Sequence, residues 1–237
     1  MGKPYGRSCV LITGATTGIG YELAKLYAKE ENNLILVARN EDRLKEVKDE
    51  LSLYSINVYT IALDLSGDNS CEKILEYVNK NNLSVDILIN NAGIGSFGYL
   101  NEIDMEKELK LIDINIRALT ELTKVFLPAM LEHGEGFIMN VASTAAFCAG
   151  PKMATYYASK SYVLNFTEAL YEEVKGKNIK ISCLCPGPVR TNFQERAGIK
   201  KKGLAKKALM TPKEVAKIAY RDFKKGKLII IPGLEIR

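Results

Sequence analysis

The sequence has few of the residues on which many active sites depend. Among its 237 residues there is no tryptophan and one histidine, His133, which is followed by Gly134. The five cysteines are scattered and lack the paired CxxC spacing of metal and redox sites, so we expect reduced core cysteines and no bound metal. Histidine is the usual acid–base group at neutral pH. We expect His133 to be structural, and any acid–base chemistry must then come from another side chain.

Long apolar runs and a strong excess of one charge are also missing. No run approaches the roughly 20 apolar residues that span a bilayer, and no apolar signal segment precedes the first apolar run, so cytoplasmic residence is expected by default. Much of the net charge of +5 comes from lysines at 200–202, 206–207, 224–225 and 227. No aromatic residues are interleaved with them, which argues against nucleic-acid binding and favours solvated faces. An anionic substrate or a membrane surface is the alternative for these lysines.

Short β-rich runs alternate with longer amphipathic stretches along the whole chain. This alternation predicts an α/β fold: one Rossmann-like, doubly wound domain over 1–237, with a parallel sheet of about seven strands and helices on both faces. Most of the strand runs are continuously apolar, as expected for strands buried on both faces. Strands are expected near 8–13, 33–38, 57–63, 85–89, 136–142, 179–185 and 227–231. Helices are expected near 18–31, 41–54, 69–82, 104–132, 153–175 and 212–226.

A long irregular stretch follows the sixth strand, from about Pro186 to Lys207. In open α/β sheets the loops after the strands usually carry the ligand site. We therefore place a substrate loop at about 190–211. The loop between Asn192 and Met210 should contact the substrate together with Phe147, Met153 and Phe193. These side chains are apolar and suit an aliphatic or aromatic molecule, although a packed turn is an equal alternative for 147–151.

A glycine-rich turn connects the first strand to the first helix. Gly14 permits a tight turn, Gly18 lets the backbone approach a phosphate, and Gly20 allows the helix to pack closely on the strand. The whole segment reads Thr13-Gly14-Ala15-Thr16-Thr17-Gly18-Ile19-Gly20. The placement predicts a dinucleotide-binding device, and the alternative is a tight turn that binds nothing.

The end of the second strand bears on which dinucleotide would bind. A carboxylate there would accept the ribose hydroxyls of NAD, but Ala38 occupies the position and Arg39 follows it. A guanidinium can pair with a 2′-phosphate through two hydrogen bonds. NADP(H) is therefore predicted over NAD(H). NAD(H) is the alternative, because the carboxylates of Glu41 and Asp42 follow Arg39 closely in the sequence. The alternative is that Arg39 is only a loop cation.

The chain resembles the short-chain dehydrogenase/reductase family, in its compact branch, over almost its whole length. The resemblance rests on six short motifs in the same order. They are the glycine turn, Asn90-Asn91-Ala92-Gly93, Asn115, Ser143, Tyr156-x-x-x-Lys160 and Pro186-Gly187-x-Val189-x-Thr191. The resemblance implies a nicotinamide-dependent oxidoreductase acting on a carbonyl or alcohol.

Cofactor roles also follow from this resemblance. It implies that Asp64 and Leu65 border the adenine, and that Asn91, Ala92 and Gly93 line the cofactor. It further implies that Val189 and Thr191, in the segment that begins at Pro186 and Gly187, hold the nicotinamide carboxamide. Lys160 should also reach the nicotinamide ribose.

Reduction of a carbonyl needs a proton as well as a hydride, and the protein must supply the proton. Tyrosine is the remaining donor, but its ordinary pKa near 10 requires a nearby cation. Tyr156 and Lys160 lie four residues apart in a predicted helix, so they share a face. The ammonium, together with a positive nicotinamide in the oxidative direction, is expected to lower the pKa of the tyrosine by a few units. The three-residue spacing also permits Tyr157, and the family pattern selects Tyr156.

Two further polar residues complete the expected site. Ser143 follows the fifth strand and could donate a hydrogen bond to the developing oxyanion, or it could be a turn or cap serine. Asn115 lies in a helix, where asparagine is a poor helix former. By the resemblance it would hold a water that connects Lys160 to solvent, and an ordinary polar helix residue is the alternative.

The resemblance also bears on partners and rival functions. Members commonly form dimers or tetramers through two long helices, here 104–132 and 153–175, so a homodimer or homotetramer is expected. One rival is a catalytically inactive nucleotide-sensing regulator with the same fold, against which the retention of Asn115, Ser143, Tyr156 and Lys160 argues. The other is an epimerase or dehydratase of the longer branch, which would need more length than 237 residues.

Overall fold

The predicted parallel sheet of seven strands is confirmed. The computed structural model describes residues 7–199 and 209–233. The strands are ordered β3-β2-β1-β4-β5-β6-β7, and every neighbouring pair is parallel. They are β1 (Arg7–Thr13), β2 (Asn33–Ala38), β3 (Val58–Ala62), β4 (Leu83–Asn90), β5 (Gly136–Val141), β6 (Ile179–Leu184) and β7 (Ile229–Ile230).

Helices connect these strands, and all six predicted helical regions are helical in the structure. They are α1 (Gly18–Lys29), α2 (Glu41–Leu51), α3 (Ser70–Lys80), α4 (Met105–Ile112), α5 (Leu119–His133), α6 (Ala154–Glu173), α7 (Phe193–Arg196) and α8 (Pro212–Lys224). A π-helical segment, Asp113–Ala118, joins α4 to α5. Thr211 caps α8 by accepting a hydrogen bond from the Glu214 amide, ahead of Pro212 in the first turn.

Each strand buries side chains on both faces because successive residues point to opposite sides of the sheet. In β1, Leu11 packs into a cluster with α3, α5 and α6, whereas Ile12 packs into a second cluster with α1, α2 and α8. Ile35 and Leu36 divide in the same way in β2. The continuous apolar runs in the sequence are therefore explained by two helix layers that cover one sheet.

Several predicted boundaries are corrected by the structure. The last strand was expected at 227–231 and is only two residues long, and the helix expected at 104–132 contains the π-helical segment. Within the substrate loop expected at 190–211, residues 193–196 form α7, and 200–208 lie outside the described residues. Cys148 is exposed, so it is not the core cysteine that was expected.

The strand order creates a crevice above the carboxyl ends of β1 and β4. From β1 the chain continues to β2 on one side, whereas β4 pairs with β1 on the other. Ligands of open α/β sheets bind at such a reversal of strand order. Residues 7–199 and 209–233 contain no helix that is long and apolar enough to cross a membrane. His133 is exposed as the last residue of α5, next to Gly134 with φ of +71°.

Candidate active site

The glycine turn forms one wall of the crevice at the start of α1. Gly14 and Gly18 have φ of +65° and +62°, in the left-handed region that favours glycine. A Cβ at Gly20 would lie 2.6 Å from the Gly14 carbonyl oxygen, so only glycine fits there. Within the described residues, the Thr17 side chain makes no capping hydrogen bond. The first amides of α1 are therefore free of a side-chain cap, as an anion-binding helix N-terminus requires.

Thr13 and Asn91 fix this turn to the end of β4. The Asn91 side chain donates to the carbonyl oxygens of Thr13 at 2.9 Å and Gly14 at 3.2 Å. The buried Thr13 hydroxyl accepts the amides of Asn91 and Ala92, both at 3.0 Å. These bonds satisfy backbone groups at the carboxyl ends of two adjacent strands. Asn91 therefore positions the turn whose cofactor contact the sequence predicts.

Arg39 and Asp64 lie together at the ends of β2 and β3. The Arg39 Nη1 atom is 3.9 Å from Asp64 Oδ2, and Lys110 Nζ donates to the same oxygen at 2.9 Å. Partial burial opposes ionisation of Asp64, but hydrogen bonds from Lys110 and Ser66 prevail and lower its pKa to about 2. The Arg39 side chain is 54% exposed. Leu65 is buried beside Asp64.

Tyr156 and Lys160 share one face in the first two turns of α6, as predicted. Tyr156 is 8% exposed and Lys160 is 4% exposed. The Lys160 ammonium lies 5.9 Å from the centre of the Tyr156 ring and donates to the Val141 carbonyl at 2.9 Å. The ring of Tyr157 lies against Gly150, where a Cβ would be within 2.3 Å of it. The tyrosine buried on the lysine face is therefore Tyr156.

Burial governs the acid–base properties of this pair. It lowers the pKa of Lys160 to about 8, against an opposing effect of the nearby Cys183 and Cys185. Burial also raises the pKa of Tyr156, although a hydrogen bond with Ser143 opposes the increase. Among the chain's own groups the net effect on the pKa of Tyr156 is therefore upward, so the lysine by itself does not produce the expected lowering. Loss of solvent is the larger effect, and the ammonium is directed at the Val141 carbonyl.

Ser143 lies at the end of β5 as the N-cap of a 3₁₀ turn, Thr144–Phe147. Its hydroxyl accepts the Ala145 amide at 3.1 Å and donates to the Pro186 carbonyl at 3.4 Å. The cap role considered from the sequence is thus present. Ser143 is also close enough to Tyr156 to favour its ionised form, so the serine is near the phenol that would donate the proton.

Asn115 is buried in the π-helical segment. Its amide donates to the Ile94 carbonyl and to Ser159 Oγ, both at 3.0 Å, and its oxygen accepts the Ile94 amide at 2.9 Å. A Cβ at Gly93 would lie 3.3 Å from Lys160 Nζ and 3.4 Å from the Asn115 oxygen. Glycine at position 93 therefore allows Asn115 and Lys160 to approach the same point. π-Helical turns often occur at such functional positions.

The segment after β6 runs back toward the glycine turn. The Pro186 carbonyl accepts the Thr144 amide at 2.9 Å, and Val189 pairs with Met210 in an isolated bridge. A Cβ at Gly18 would lie 3.5 Å from Thr191 Cγ2, so Thr191 is beside the helix N-terminus. The structure thus brings Val189 and Thr191 to the same crevice as the glycine turn.

Comparison with known proteins identifies the family. A model of the short chain dehydrogenase family matches residues 8–202. The chain belongs to the short-chain dehydrogenase family. It is 33% identical over 189 residues to the very-long-chain 3-oxoacyl-CoA reductase of Rattus norvegicus, which covers 77% of this chain. The chain spans only 60% of that relative's length.

Solved structures of short-chain dehydrogenases are similar over nearly the whole chain. One from Sphingobium yanoikuyae, in complex with NADPH, has a TM-score of 0.89 and 30% identity, and covers 97% of this chain and 89% of its own. The bulky-bulky ketone specific alcohol dehydrogenase of Comamonas testosteroni has a TM-score of 0.85 and 27% identity, with 99% and 88% covered. The Rossmann-like doubly wound fold predicted from the sequence is therefore confirmed.

The substrate side of this short-chain dehydrogenase differs in part from the prediction. Phe193 and Met153 pack near Tyr156 in one apolar cluster, as expected for walls of a substrate site. Phe147 is 52% exposed on the 3₁₀ turn. A cleft of about 350 Å³ lies beside this cluster. Of its lining residues only Gly198 falls in the predicted substrate loop, and the others are Phe97, Gly98, Tyr99, Glu102 and Lys152.

The residues that support the site were also missed. Thr13 was predicted only as the start of the glycine turn, and no role was predicted for Ser159 or Lys110. Their partners lie 44 or more positions away along the chain, so no local pattern could reveal them. The one signal in the sequence was the position of Ser159, directly before Lys160.

Proposed function

We propose that this short-chain dehydrogenase transfers hydride between NADP(H) and a carbonyl or secondary alcohol, with Tyr156 as the general acid and base. The observation that carries the proposal is the buried Tyr156–Lys160 pair on α6, with the lysine ammonium 5.9 Å from the centre of the phenol ring. Oxidoreduction of this kind is consistent with the named activities of the similar proteins.

The residues of the crevice fit a nicotinamide dinucleotide phosphate. The amides at the start of α1, between Gly14 and Gly20, would bind the pyrophosphate, and the guanidinium of Arg39 would bind a 2′-phosphate. Val189 and Thr191 would bind the nicotinamide carboxamide. The NADPH of the Sphingobium yanoikuyae protein supports this choice. The bound nicotinamide would supply or accept the hydride.

The side chains of the chain itself would handle the proton. In the reductive direction the acid must begin protonated, and the raised pKa of Tyr156 keeps its phenol protonated. Ser143 would hydrogen-bond the substrate oxygen, and the phenol would donate its proton to that oxygen as hydride reaches the carbon. The Lys160 ammonium would then stabilise the tyrosinate. In the oxidative direction the same groups would remove the alcohol proton.

Proton resupply would follow a route past Asn115. The Asn115 amide is fixed by Ile94 and Ser159, and its oxygen is close to Gly93 and the Lys160 ammonium. A water held there would connect Lys160 to solvent and return the proton to Tyr156. Both amide hydrogens of Asn115 are donated to other groups, whereas its oxygen accepts one hydrogen bond and has a second lone pair that could accept one from such a water.

Turnover with the two cofactors tests this function. Ketones, aldehydes and secondary alcohols are assayed with NADPH or NADH by the absorbance of the reduced nicotinamide. We expect turnover with a higher kcat/KM for NADPH. Cofactor binding with no turnover of any compound would instead indicate a nucleotide-sensing regulator.

The role of Arg39 predicts a change in cofactor preference. Arg39→Ala should lower kcat/KM for NADPH roughly tenfold to hundredfold, the effect of losing hydrogen bonds to a charged group, and should leave NADH almost unaffected. Arg43→Ala is the matched control, because Arg43 pairs with Glu46 and Glu50 on α2. An equal loss with both cofactors, or a wild-type preference for NADH, would refute the NADP(H) assignment.

A further inference from the structure

A small pocket lies between α1 and α8, in the helix layer on the opposite face of the sheet from α6. The two helices pack against each other, and their buried faces include the small side chains Ala24, Ala28, Ala216 and Ala219. The pocket encloses about 70 Å³. Its lining residues are Glu22, Lys25, Leu26, Lys29, Lys213 and Lys217. Four of these six residues are lysines, two from each helix.

The lysines are spaced so that their charges add. Lys25 and Lys29 lie four residues apart on α1, so they share one face of that helix. Lys213 and Lys217 have the same spacing on α8. Two like charges at this spacing destabilise a helix. The pocket combines two such pairs with a single carboxylate, that of Glu22, and so has a net charge of +3.

Nearby carboxylates leave most of this charge unbalanced. Glu22 lies 3.9 Å from Lys25, and no other carboxylate of the described residues lies within 4.0 Å of any of the four ammonium groups. Glu214 follows Lys213 directly, but its carboxylate caps the start of α8. It accepts hydrogen bonds from the amide and the hydroxyl of Thr211, at 2.7 and 2.8 Å. The chain therefore gathers positive charge at this pocket at some cost in stability.

We infer that the pocket is a binding site for a phosphate monoester, separate from the crevice of the proposed function and independent of it. A lysine ammonium is a compact charge with three donors, which suits the oxygens of a phosphate. A phosphate monoester carries about 1.5 to 2 negative charges at neutral pH, so it balances more of the +3 than a carboxylate would. The pocket has more than twice the ~30 Å³ that one water occupies in the liquid, so it admits a phosphate group.

Two matched double variants test the site. The pocket variant, Lys29→Gln with Lys217→Gln, removes one charge from each lysine pair. The α2 variant, Lys45→Gln with Lys48→Gln, removes the same charge from exposed positions of α2. Melting temperatures are measured in inorganic phosphate and in sodium chloride of equal ionic strength. A saturating nicotinamide dinucleotide is present throughout, so that phosphate does not bind at the glycine turn.

Phosphate should stabilise wild type and the α2 variant more than the pocket variant. Its apparent affinity, from the dependence of melting temperature on phosphate concentration, should fall roughly tenfold or more in the pocket variant, because two charge-assisted contacts are lost. The general stabilising effect of phosphate as a salt is common to all three proteins. A loss of the same size in the α2 variant would overturn the inference.

The unbalanced charge predicts a second effect that needs no ligand. In dilute chloride the pocket variant should melt about 1–3 °C above wild type, because two like-charge pairs are removed, and the α2 variant should show no such increase. This result would also show that the pocket variant folds. A pocket variant that melts at or below the wild-type temperature would contradict the unbalanced charge on which the inference rests.

Vesicles separate the two sources of a phosphate monoester, a lipid headgroup and a soluble ester. Each protein is sedimented with phosphatidylcholine vesicles with and without phosphatidic acid. Sedimentation that requires phosphatidic acid and is lost in the pocket variant would assign the site to a lipid headgroup. Stabilisation by phosphate without sedimentation would assign it to a soluble ester. Equal responses of wild type and the pocket variant to both phosphate and vesicles would overturn the inference.

Discussion

At the scale of single residues, burial determines the chemistry that Tyr156 and Lys160 can perform. Taken alone, the four-residue spacing suggests an ammonium that acidifies a phenol. In the folded chain both side chains lose water, which favours the neutral form of each. The free site therefore holds a protonated tyrosine beside a lysine that can lose its proton near pH 8. This state is ready for reduction and depends on the lysine remaining charged.

The pKa of Lys160 predicts an alkaline limit to the reduction. As pH rises through about 8, the ammonium is lost and no longer stabilises the tyrosinate, so kcat/KM should fall with an apparent pKa near 8. Measurement across pH 6 to 10.5 with a fixed ketone and saturating cofactor checks this. A kcat/KM that stays level up to the ordinary lysine pKa of 10.5 would show that Lys160 is not the group.

The sequence allowed the candidate site residues to be named, but it did not allow their contacts to be predicted. Tyr156, Lys160, Ser143 and Asn115 could be named from the sequence because each lies in a short motif next to a strand or on a helix face. The sequence could not supply the ion pairs of Asp64, or the hydrogen bond between Asn115 and Ser159, which join distant elements. The upward net effect on the pKa of Tyr156 was missed because burial is a property of the folded chain.

At the scale of elements, the glycine turn has a tight steric fit to β4. Gly14 needs both its left-handed backbone and its lack of a side chain, because a Cβ there would lie 2.9 Å from Asn91 Nδ2 and 3.1 Å from Ala92 Cα. Gly176 has a similar backbone, with φ of +81°, but no atom lies within 4 Å of its Cβ position. A comparison of the two positions therefore distinguishes the cost of backbone strain, which both share, from the cost of crowding, which only Gly14 has.

Substitution by alanine should therefore cost more at Gly14 than at Gly176. Left-handed backbone in an L-residue costs about 1–2 kcal/mol at either position. Crowding should add about 1–3 kcal/mol at Gly14. Urea unfolding gives the free energy of each variant. Equal losses for Gly14→Ala and Gly176→Ala would show that the turn is not packed against Asn91 as described.

Element predictions succeeded where the apolar pattern was long and failed where it was short or ambiguous. All seven strands were found because each joins two apolar clusters. The π-helical segment was missed because its side chains continue the apolar face of one long helix. The four-residue α7 has no buried residue, so it produced no apolar pattern to detect.

At the scale of the whole molecule, one surface carries an unusual amount of apolar side chain. Met105, Leu109 and Ile112 lie on one face of α4 and are 69%, 53% and 39% exposed. Tyr162 is 36% exposed on α6, which contacts α4. Contiguous apolar surface of this kind commonly marks a protein interface. We propose that it joins copies of this chain, in agreement with the oligomer expected from the sequence.

A charge at the centre of this surface should separate the copies. We expect wild type to be a dimer or tetramer by light scattering, and Leu109→Lys to shift the mass toward the monomer, because burying an unpaired ammonium is costly. Leu53→Lys is the control, since Leu53 is 87% exposed and follows α2 on the other face of the sheet. A monomeric wild type would contradict the proposed interface.

The proton-donor role of Tyr156 is tested most directly by two matched substitutions. Tyr156→Phe removes one hydroxyl from the buried ring beside Lys160, and Tyr157→Phe removes the same group from the ring packed on Gly150. The account predicts that Tyr156→Phe binds NADPH normally but loses roughly a hundredfold or more of kcat with every carbonyl, as expected for loss of general acid catalysis. Tyr157→Phe should retain turnover. Undiminished kcat in Tyr156→Phe, or its loss in Tyr157→Phe alone, would contradict the account.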